Sequence, residues 1–93
     1  MPTDVIENSA QHRFELALDG DDIAAAYYLI DESGNLVLNH TEVPSGYAGR
    51  GIGTVLATGV FDLIRASGRK AVLKCSFMQR FYASHREYDD IVV

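Results

Sequence analysis

The hydrophobic pattern of the first half of the chain predicts three β-strands. Residues 13–19 alternate between apolar and polar side chains, which is typical of a strand with one buried face. Residues 23–30 are apolar on both faces and predict a central strand, and residues 36–43 predict a third strand that ends at Pro44. Residues with turn chemistry separate these segments, so we expect an antiparallel meander.

The hydrophobic period changes in the second half of the chain. Apolar residues recur at steps of three and four over residues 50–67, which predicts an amphipathic helix, and Gly68 is placed to end that helix in a left-handed conformation. Residues 70–75 predict a short fourth strand. Because a crossover helix joins it to the third strand, we expect these two strands to lie parallel.

A second helix is predicted after the fourth strand. Ser76 and Gln79 have the spacing of a capping box, so this helix is expected to run from there to about His85. The predicted order is therefore β-β-β-α-β-α, an α/β (α+β) fold with a mixed, mainly antiparallel sheet. Residues 1–11 are predicted to be a flexible tail, and residues 12–93 a single domain.

Composition limits the classes of function. A chain of 93 residues with 47% hydrophobic residues has room for one modest core. The single cysteine excludes an internal disulfide and a zinc knuckle, and it suits a reducing compartment. No apolar run approaches the roughly 18 residues of a membrane span, and residues 1–8 lack the layout of a signal peptide. We therefore expect a cytoplasmic protein with no membrane association and no bound metal.

The charges are distributed unevenly along the chain. The net charge of −5 argues against nucleic acid as a partner. Residues 1–46 contain nine acidic residues and one basic residue, a charge of −8, whereas residues 47–93 contain seven basic and four acidic residues, a charge of +3. A basic half fits a small polyphosphate ligand, and an acidic half fits a positively charged acceptor. Both sets of charges are equally consistent with solvated faces.

A cluster of glycines lies between the third strand and the first helix, at positions 46, 49, 51 and 53. Glycines there allow the backbone to approach a ligand, and the free N–H groups of the following helix attract an anion. The spacing excludes a P-loop, because Ile52 stands where a lysine would be needed. It also excludes a dinucleotide fingerprint, because Thr54 stands where a third glycine would be needed.

The residues around this cluster resemble the acetyl-CoA-binding motif of GNAT-type N-acyltransferases. The motif consists of His-Thr-Glu-Val-Pro at 40–44, Gly-Arg-Gly-Ile-Gly at 49–53 and a helix that contains leucine. Residues 39–88 further resemble a minimal subfamily, with Cys-Ser-Phe at 75–77 and His-Arg-Glu-Tyr at 85–88. The chain departs from these patterns at Ala48, where the superfamily has Arg or Gln, and at Arg86, where the subfamily has Pro.

The resemblance implies that acetyl-CoA binds in a V between the two parallel strands. Val43 and its neighbours would hold the pantetheine arm, and a backbone N–H near Val43 would polarise the thioester carbonyl. The backbone N–H groups of the glycine loop would hold the pyrophosphate. These belong to Arg50, Gly51, Ile52, Gly53 and Thr54.

Four side chains near the V are candidates for the chemistry. Glu42 is a candidate base or a charge that attracts an ammonium group, and His40 is predicted to share its face, because residues 38, 40 and 42 alternate together. Cys75 precedes a helix N-terminus that would lower the pKa of its thiol. It is a candidate nucleophile or a candidate acid. Tyr82 is a candidate general acid by resemblance. The alternatives are an exposed acid at Glu42, a hydrogen-bonded structural histidine at His40, a buried thiol at Cys75 and a packing residue at Tyr82.

Three functions are therefore considered. The first is transfer of an acetyl group from acetyl-CoA to an amine that the sequence does not identify. The second is a CoA-binding module that transfers nothing, and the third is a protein-interaction domain in which the glycine loop is only a turn. The chain lacks the elements that usually build the acceptor pocket of larger relatives, so we expect that pocket to be open or completed by a second copy or another partner chain.

Overall fold

In the computed structural model, which describes residues 4–93, a five-stranded sheet packs against two α-helices on one face. Neighbouring strands follow sequence order across the sheet and are antiparallel, except for the last pair, which is parallel. The predicted mixed, mainly antiparallel α/β fold is confirmed, with one additional strand. The elements are β1 (Val5–Asn8), β2 (Arg13–Ala17), β3 (Ile23–Ile30), β4 (Leu36–Glu42), α1 (Ile52–Ala66), β5 (Ala71–Leu73) and α2 (Ser76–Ala83).

The prediction of a flexible tail over residues 1–11 is wrong for residues 5–11, while residues 1–3 lie outside the described part of the chain. Val5–Asn8 pairs with β2, and a single turn of 3₁₀ helix, Ser9–Gln11, leads into that strand. Val5 is buried in the core. Four residues are too few to show the alternation of apolar and polar side chains that identifies a strand. The pairing with β2 that stabilises this strand therefore cannot be read from the sequence.

A part-buried ion pair fastens β1 to the end of α1. The Arg69 guanidinium donates to both carboxylate oxygens of Glu7, at 2.6 and 3.0 Å, and the Tyr28 hydroxyl donates to the same carboxylate at 2.5 Å. The hydrogen bond from Arg69 holds the pKa of Glu7 below its ordinary value, although burial opposes this effect. The N-terminal strand is therefore connected to residues more than sixty positions later.

The core lies between the sheet and the two helices. Leu56, Val60 and Ile64 of α1 are fully buried against the sheet, and the ring of Phe61 meets Phe81 of α2 edge-on at 5.2 Å. Gly68 ends α1 with φ +74°, as predicted. None of the helices within residues 4–93 is long and apolar enough to cross a membrane.

The predicted capping box at the start of α2 is wrong. The N-cap residue is Cys75, one position earlier, and no side chain caps the helix there. Ser76 is instead the first helical residue. The Gln79 side chain donates to the carbonyl of Leu73 at 2.9 Å, so it reaches back to β5 rather than to the helix N-terminus.

A β-bulge interrupts β4 at Asn39. Tyr27 of β3 pairs with His40 and the next residue, Tyr28, pairs with Leu38, so Asn39 is an extra residue on β4. An extra residue reverses the direction of the side chains that follow it. Leu38 therefore faces the helices and His40 faces away from them, and the prediction that residues 38, 40 and 42 share one face is wrong for Leu38.

The parallel pairing of β4 with β5 is short. It extends from Leu36 opposite Ala71 to Leu38 opposite Leu73, and the Leu38 carbonyl then accepts hydrogen bonds from the N–H groups of both Lys74 and Cys75. Beyond that point β4 continues without β5 beside it. We call the divergence of the two strands past Leu38 the fork.

We expect Glu7→Gln to lower the free energy of unfolding at neutral pH by roughly 1–2 kcal/mol, because a charge-assisted pair of hydrogen bonds is lost. Since the pKa of Glu7 is lower in the folded protein, the contribution is present above its ordinary value of 4.5 and is lost as the pH falls through the lower folded value. Urea unfolding at a series of pH values would measure both the loss of unfolding free energy at neutral pH and its dependence on pH. A matched control is Glu32→Gln in the exposed β3–β4 turn, and equal slopes with pH for the two variants would contradict the assignment.

Candidate functional site

The glycine loop between β4 and α1 presents an uncapped helix end. Gly51 is the N-cap residue and adopts a left-handed conformation with φ +72°, and no side chain bonds the first N–H groups of α1. Unsatisfied N–H groups together with the helix dipole attract anions. The loop therefore has the backbone geometry that was expected of an anion site, and Ile52, Gly53 and Thr54 form the first turn.

Gly53 leaves space for an aromatic ring, whereas Gly51 allows a left-handed backbone. Its backbone has no positive φ, but a Cβ atom at this position would lie 2.7 Å from Cζ of the Phe77 ring. That separation is shorter than any ordinary carbon–carbon contact. The ring at the start of α2 thus occupies the space that a side chain on α1 would fill.

Tyr47 anchors the glycine loop to the β2–β3 turn. Its buried hydroxyl accepts a hydrogen bond from the Asp19 N–H at 3.0 Å and donates to the Asp22 carboxylate at 3.1 Å. The Arg50 guanidinium lies over the Tyr47 ring at 5.1 Å and 4.0 Å from Asp19. Arg50 is therefore held beside the loop, in an exposed position next to the first turn of α1.

The Cys75 thiol lies at the base of the fork. Its sulfur is 3.4 Å from the Thr41 hydroxyl of β4, so the two side chains face each other across the divergent strands. Burial alone would raise the pKa of the Cys75 thiol. The Thr41 hydroxyl and the nearby backbone N–H groups of Met78, Phe77 and Thr41 outweigh burial and lower this pKa below its ordinary value. The expectation of a helix N-terminus directly after the thiol is confirmed.

His40 and Glu42 form a separate pair on the other face of the sheet. Their side chains contact each other at 3.3 Å, both are exposed, and the His40 ring stacks on Tyr27 at 5.6 Å. Glu42 pairs with Ala25 across the strands, whereas Thr41 pairs with Ala26, which belongs to the core. The structure therefore brings His40 and Glu42 together. It places them on the opposite face of the sheet from the contact between Thr41 and Cys75.

Tyr82 is not near the thiol along the helix. It lies seven residues after Cys75, which corresponds to about 10 Å along an α-helix. Its hydroxyl donates to the Asp89 carboxylate, and the Arg86 guanidinium lies over its ring at 4.8 Å. The hydrogen bond to Asp89 raises the pKa of the Tyr82 hydroxyl. The structure thus places Tyr82 in a cluster at the opposite end of α2 from Cys75.

A comparison of sequences settles the family. Residues 13–91 match the profile of the GCN5-related N-acetyl-transferase family. The chain belongs to this family. Protein NATD1 of Gallus gallus is 33% identical over 81 residues, covering 86% of this chain and 74% of that protein. Protein NATD1 of Mus musculus is 36% identical over 78 residues, covering 82% of this chain and 71% of that protein.

A comparison of structures agrees on the fold. An NMR structure of a GCN5-like protein from Staphylococcus aureus superposes with a TM-score of 0.70 at 21% sequence identity, covering 99% of this chain and 89% of that one. The predicted resemblance and the predicted fold are thereby confirmed. Within residues 4–93 no group of three or more His, Cys, Asp or Glu side chains is arranged to bind a metal ion.

Three residues of this GCN5-related site were given no role from the sequence. Thr41 contacts the thiol, Tyr47 anchors the glycine loop, and Phe77 packs on Gly53. Thr41 and Phe77 lie within the motifs that were recognised, and Tyr47 lies between two of them; that placement was the one available signal. Thr41 lies between His40 and Glu42, and its orientation depends on the bulge, which alternation alone does not predict.

We expect Thr41→Val to raise the pKa of the Cys75 thiol, because the variant removes a hydroxyl donor to the thiolate and retains the side-chain volume. Thr41→Ser keeps the hydroxyl and should leave the pKa close to that of the unmodified protein. Since Cys75 is the single cysteine, the rate of alkylation by iodoacetamide as a function of pH reports on it alone. Identical pH profiles for the Val and Ser variants would show that the hydroxyl does not stabilise the thiolate.

Proposed function

We propose that this chain is an N-acetyltransferase that takes its acetyl group from acetyl-CoA and transfers it to an amine. The observation that supports this proposal is the fork between β4 and β5, which opens next to the uncapped N-terminus of α1 and carries the Cys75 thiol at its base. Binding of a diphosphate-bearing thioester needs an anion site and an extended groove, and transfer through the protein also needs a nucleophile beside the thioester.

The diphosphate end would be held by the backbone of the glycine loop. The N–H groups from Gly51 to Thr54 supply donors that are not used by any side-chain cap, and the helix dipole adds partial positive charge. The Arg50 N–H, which was expected to join them, donates instead to the Tyr47 carbonyl at 3.4 Å. Ala48 replaces the Arg or Gln of the superfamily, so it has no side chain that could bind the diphosphate. Arg50 would bind the diphosphate instead, once its exposed guanidinium turns from Asp19 toward it. Exposed ion pairs contribute little to stability, so that exchange costs little.

The extended arm would be held in the fork itself. Past Leu38, none of the strands within residues 4–93 lies beside β4 on the β5 side, so the backbone there can pair with the amide groups of pantetheine as it would with a strand. Val43 lies directly after β4, half-buried and packed against the core, where it would contact the arm. The same backbone would orient the thioester carbonyl toward an N–H donor.

Cys75 would act as the nucleophile. Its thiolate sulfur forms a bond to the carbonyl carbon while the bond from that carbon to the CoA sulfur breaks, and CoA leaves as a thiolate. A neutral amine then attacks the acetyl-cysteine carbonyl, the carbon–sulfur bond breaks, and the Cys75 thiolate is restored as the amine loses a proton. A lowered thiol pKa increases the fraction of thiolate that is available for attack, which supports the nucleophilic role.

His40 and Glu42 would receive the proton of the attacking amine. They lie on the open face of the sheet beside the end of β4, exposed and in contact with each other, so a base there is accessible to an incoming amine. Since they are on the opposite face from Cys75, a water molecule would connect them to the reacting nitrogen. Tyr82, whose hydroxyl is bound to Asp89, is less suited to donate a proton to the departing thiolate.

The second candidate, a CoA-binding module without transfer, is favoured by one observation. The side chain that the resemblance suggests as general acid, Tyr82, is directed to Asp89 and is distant along α2 from the thiol. A module of this kind would bind the cofactor through the glycine loop and the fork alone. Binding and transfer must therefore be measured separately.

We expect saturable binding of acetyl-CoA and of CoA in a calorimetric titration, and a loss of affinity of at least about tenfold in Gly51→Glu, because a carboxylate enters the anion site. Gly51→Asn is the matched control. Asparagine tolerates the left-handed conformation at φ +72° and carries no charge, so it should retain most of the affinity. Absence of binding by the folded unmodified protein would exclude both of the first two functions.

For transfer, we expect incubation with acetyl-CoA to leave an acetyl group on Cys75, detected by intact-mass and peptide mass spectrometry. Cys75→Ala should abolish acetylation of amines, whereas Glu42→Gln should slow it, because the proton of the attacking amine loses one of its two acceptors. Binding of acetyl-CoA by Cys75→Ala would be the control for an intact groove. Full transfer activity in Cys75→Ala would contradict the nucleophilic role, and binding without any transfer would favour the module.

A further inference from the structure

We propose that Phe77 is a positioning residue: its ring joins the N-terminus of α1 to that of α2 and thereby fixes the α2 backbone around the Cys75 thiol. The proposal rests on the function proposed above for its catalytic meaning, since it concerns how that thiol is held. Phe77 belongs to the Cys-Ser-Phe segment, whose third member has no part in the chemistry described so far.

The contact between the two helices is close. An added Cβ at Gly53 would meet Cζ, Cε1 and Cε2 of the Phe77 ring at 2.7, 3.1 and 3.5 Å. Gly53 is in the first turn of α1 and Phe77 in the first turn of α2, so the ring lies where both helices begin. The diphosphate end of the groove and the thiol end are thus connected through one aromatic ring.

Phe77 is also close in sequence to the thiol. Cys75 is the N-cap residue of α2, two positions before Phe77, and its sulfur lies 3.4 Å from the Thr41 hydroxyl of β4. The backbone N–H groups of Phe77 and Met78 contribute, with that hydroxyl, to the lowered pKa of the thiol. A side chain that holds the first turn of α2 in place therefore also holds the thiol against Thr41.

The other end of the helix pair has its own contacts. Phe61 of α1 meets Phe81 of α2 at 5.2 Å and Tyr88 at 5.1 Å, both edge-on. These aromatic contacts hold the C-terminal part of α2, away from the thiol. Phe77 is placed to hold the N-terminal part, where a small shift of the backbone would move the Cys75 sulfur away from the Thr41 hydroxyl and weaken that contact steeply.

The test measures the pKa of the thiol without any cofactor. Alkylation by iodoacetamide is followed against pH in the unmodified protein and in Phe77→Ala, Phe77→Leu and Gly53→Ala. We expect a higher thiol pKa and alkylation about three- to tenfold slower at neutral pH in Phe77→Ala, with partial rescue in Phe77→Leu. Gly53→Ala changes α1 rather than α2, and it should also raise the pKa of the Cys75 thiol, because the new methyl group displaces the Phe77 ring.

A double variant separates a specific contact from a general loss of stability. In the Phe77→Ala background the ring is absent, so adding Gly53→Ala should have no further effect on the pKa. Gly46→Ala is the matched control, since Gly46 lies in the same loop with open space around it and no positive φ. Additive shifts, or an unchanged pKa in Phe77→Ala and Phe77→Leu while the thermal unfolding temperature shows a folded protein, would overturn the proposal.

The outcome is independent of whether the chain transfers acetyl groups. A raised thiol pKa in the Phe77 variants, with no binding of acetyl-CoA by the unmodified protein, would support the positioning role and reject the proposed function. Binding of acetyl-CoA with an unchanged thiol pKa in those variants would reject the positioning role and leave the proposed function supported.

Discussion

The extra residue in β4 is the constraint on which the arrangement of the site depends. Asn39 reverses the side-chain direction within the strand, so Leu38 packs in the core while His40 turns to the open face. It also brings Thr41 onto the same side as Cys75. Bulges bend the strand that contains them, and here the bulge coincides with the point where β4 and β5 diverge. One inserted residue thus accounts for the division of the polar groups between the two faces, and it lies where the fork begins.

Most of the fold could be predicted because its elements are long enough to show a period. The helix over residues 52–66 repeats its apolar positions for four turns, and the three central strands alternate or are continuously apolar. The exception is β1, four residues whose stability comes from pairing with β2 and from the ion pair between Glu7 and Arg69. Both are contacts between distant parts of the chain, and neither leaves a local pattern.

The candidate site was predictable only where its geometry is local. The glycine loop before α1 and the thiol before α2 follow from residues next to one another in sequence. The faces of His40 and Glu42 relative to Cys75 depend on the bulge, which interrupts the alternation used to infer them. The roles of Thr41 and Phe77 depend on contacts between separate elements, and the residue types alone, a β-branched polar residue and an apolar aromatic, do not indicate them.

The bond between Tyr47 and the β2–β3 turn has a consequence for how this protein can vary. Surface turns between antiparallel strands ordinarily accept insertions and deletions, since few contacts depend on their length. Here the backbone of Asp19 and the carboxylate of Asp22 are both partners of one buried hydroxyl that holds the glycine loop. A residue added between them would move one partner away from the other. A turn remote in sequence from the groove is thereby restricted in length, and loop grafting or the insertion of a tag would be better directed to the β3–β4 turn.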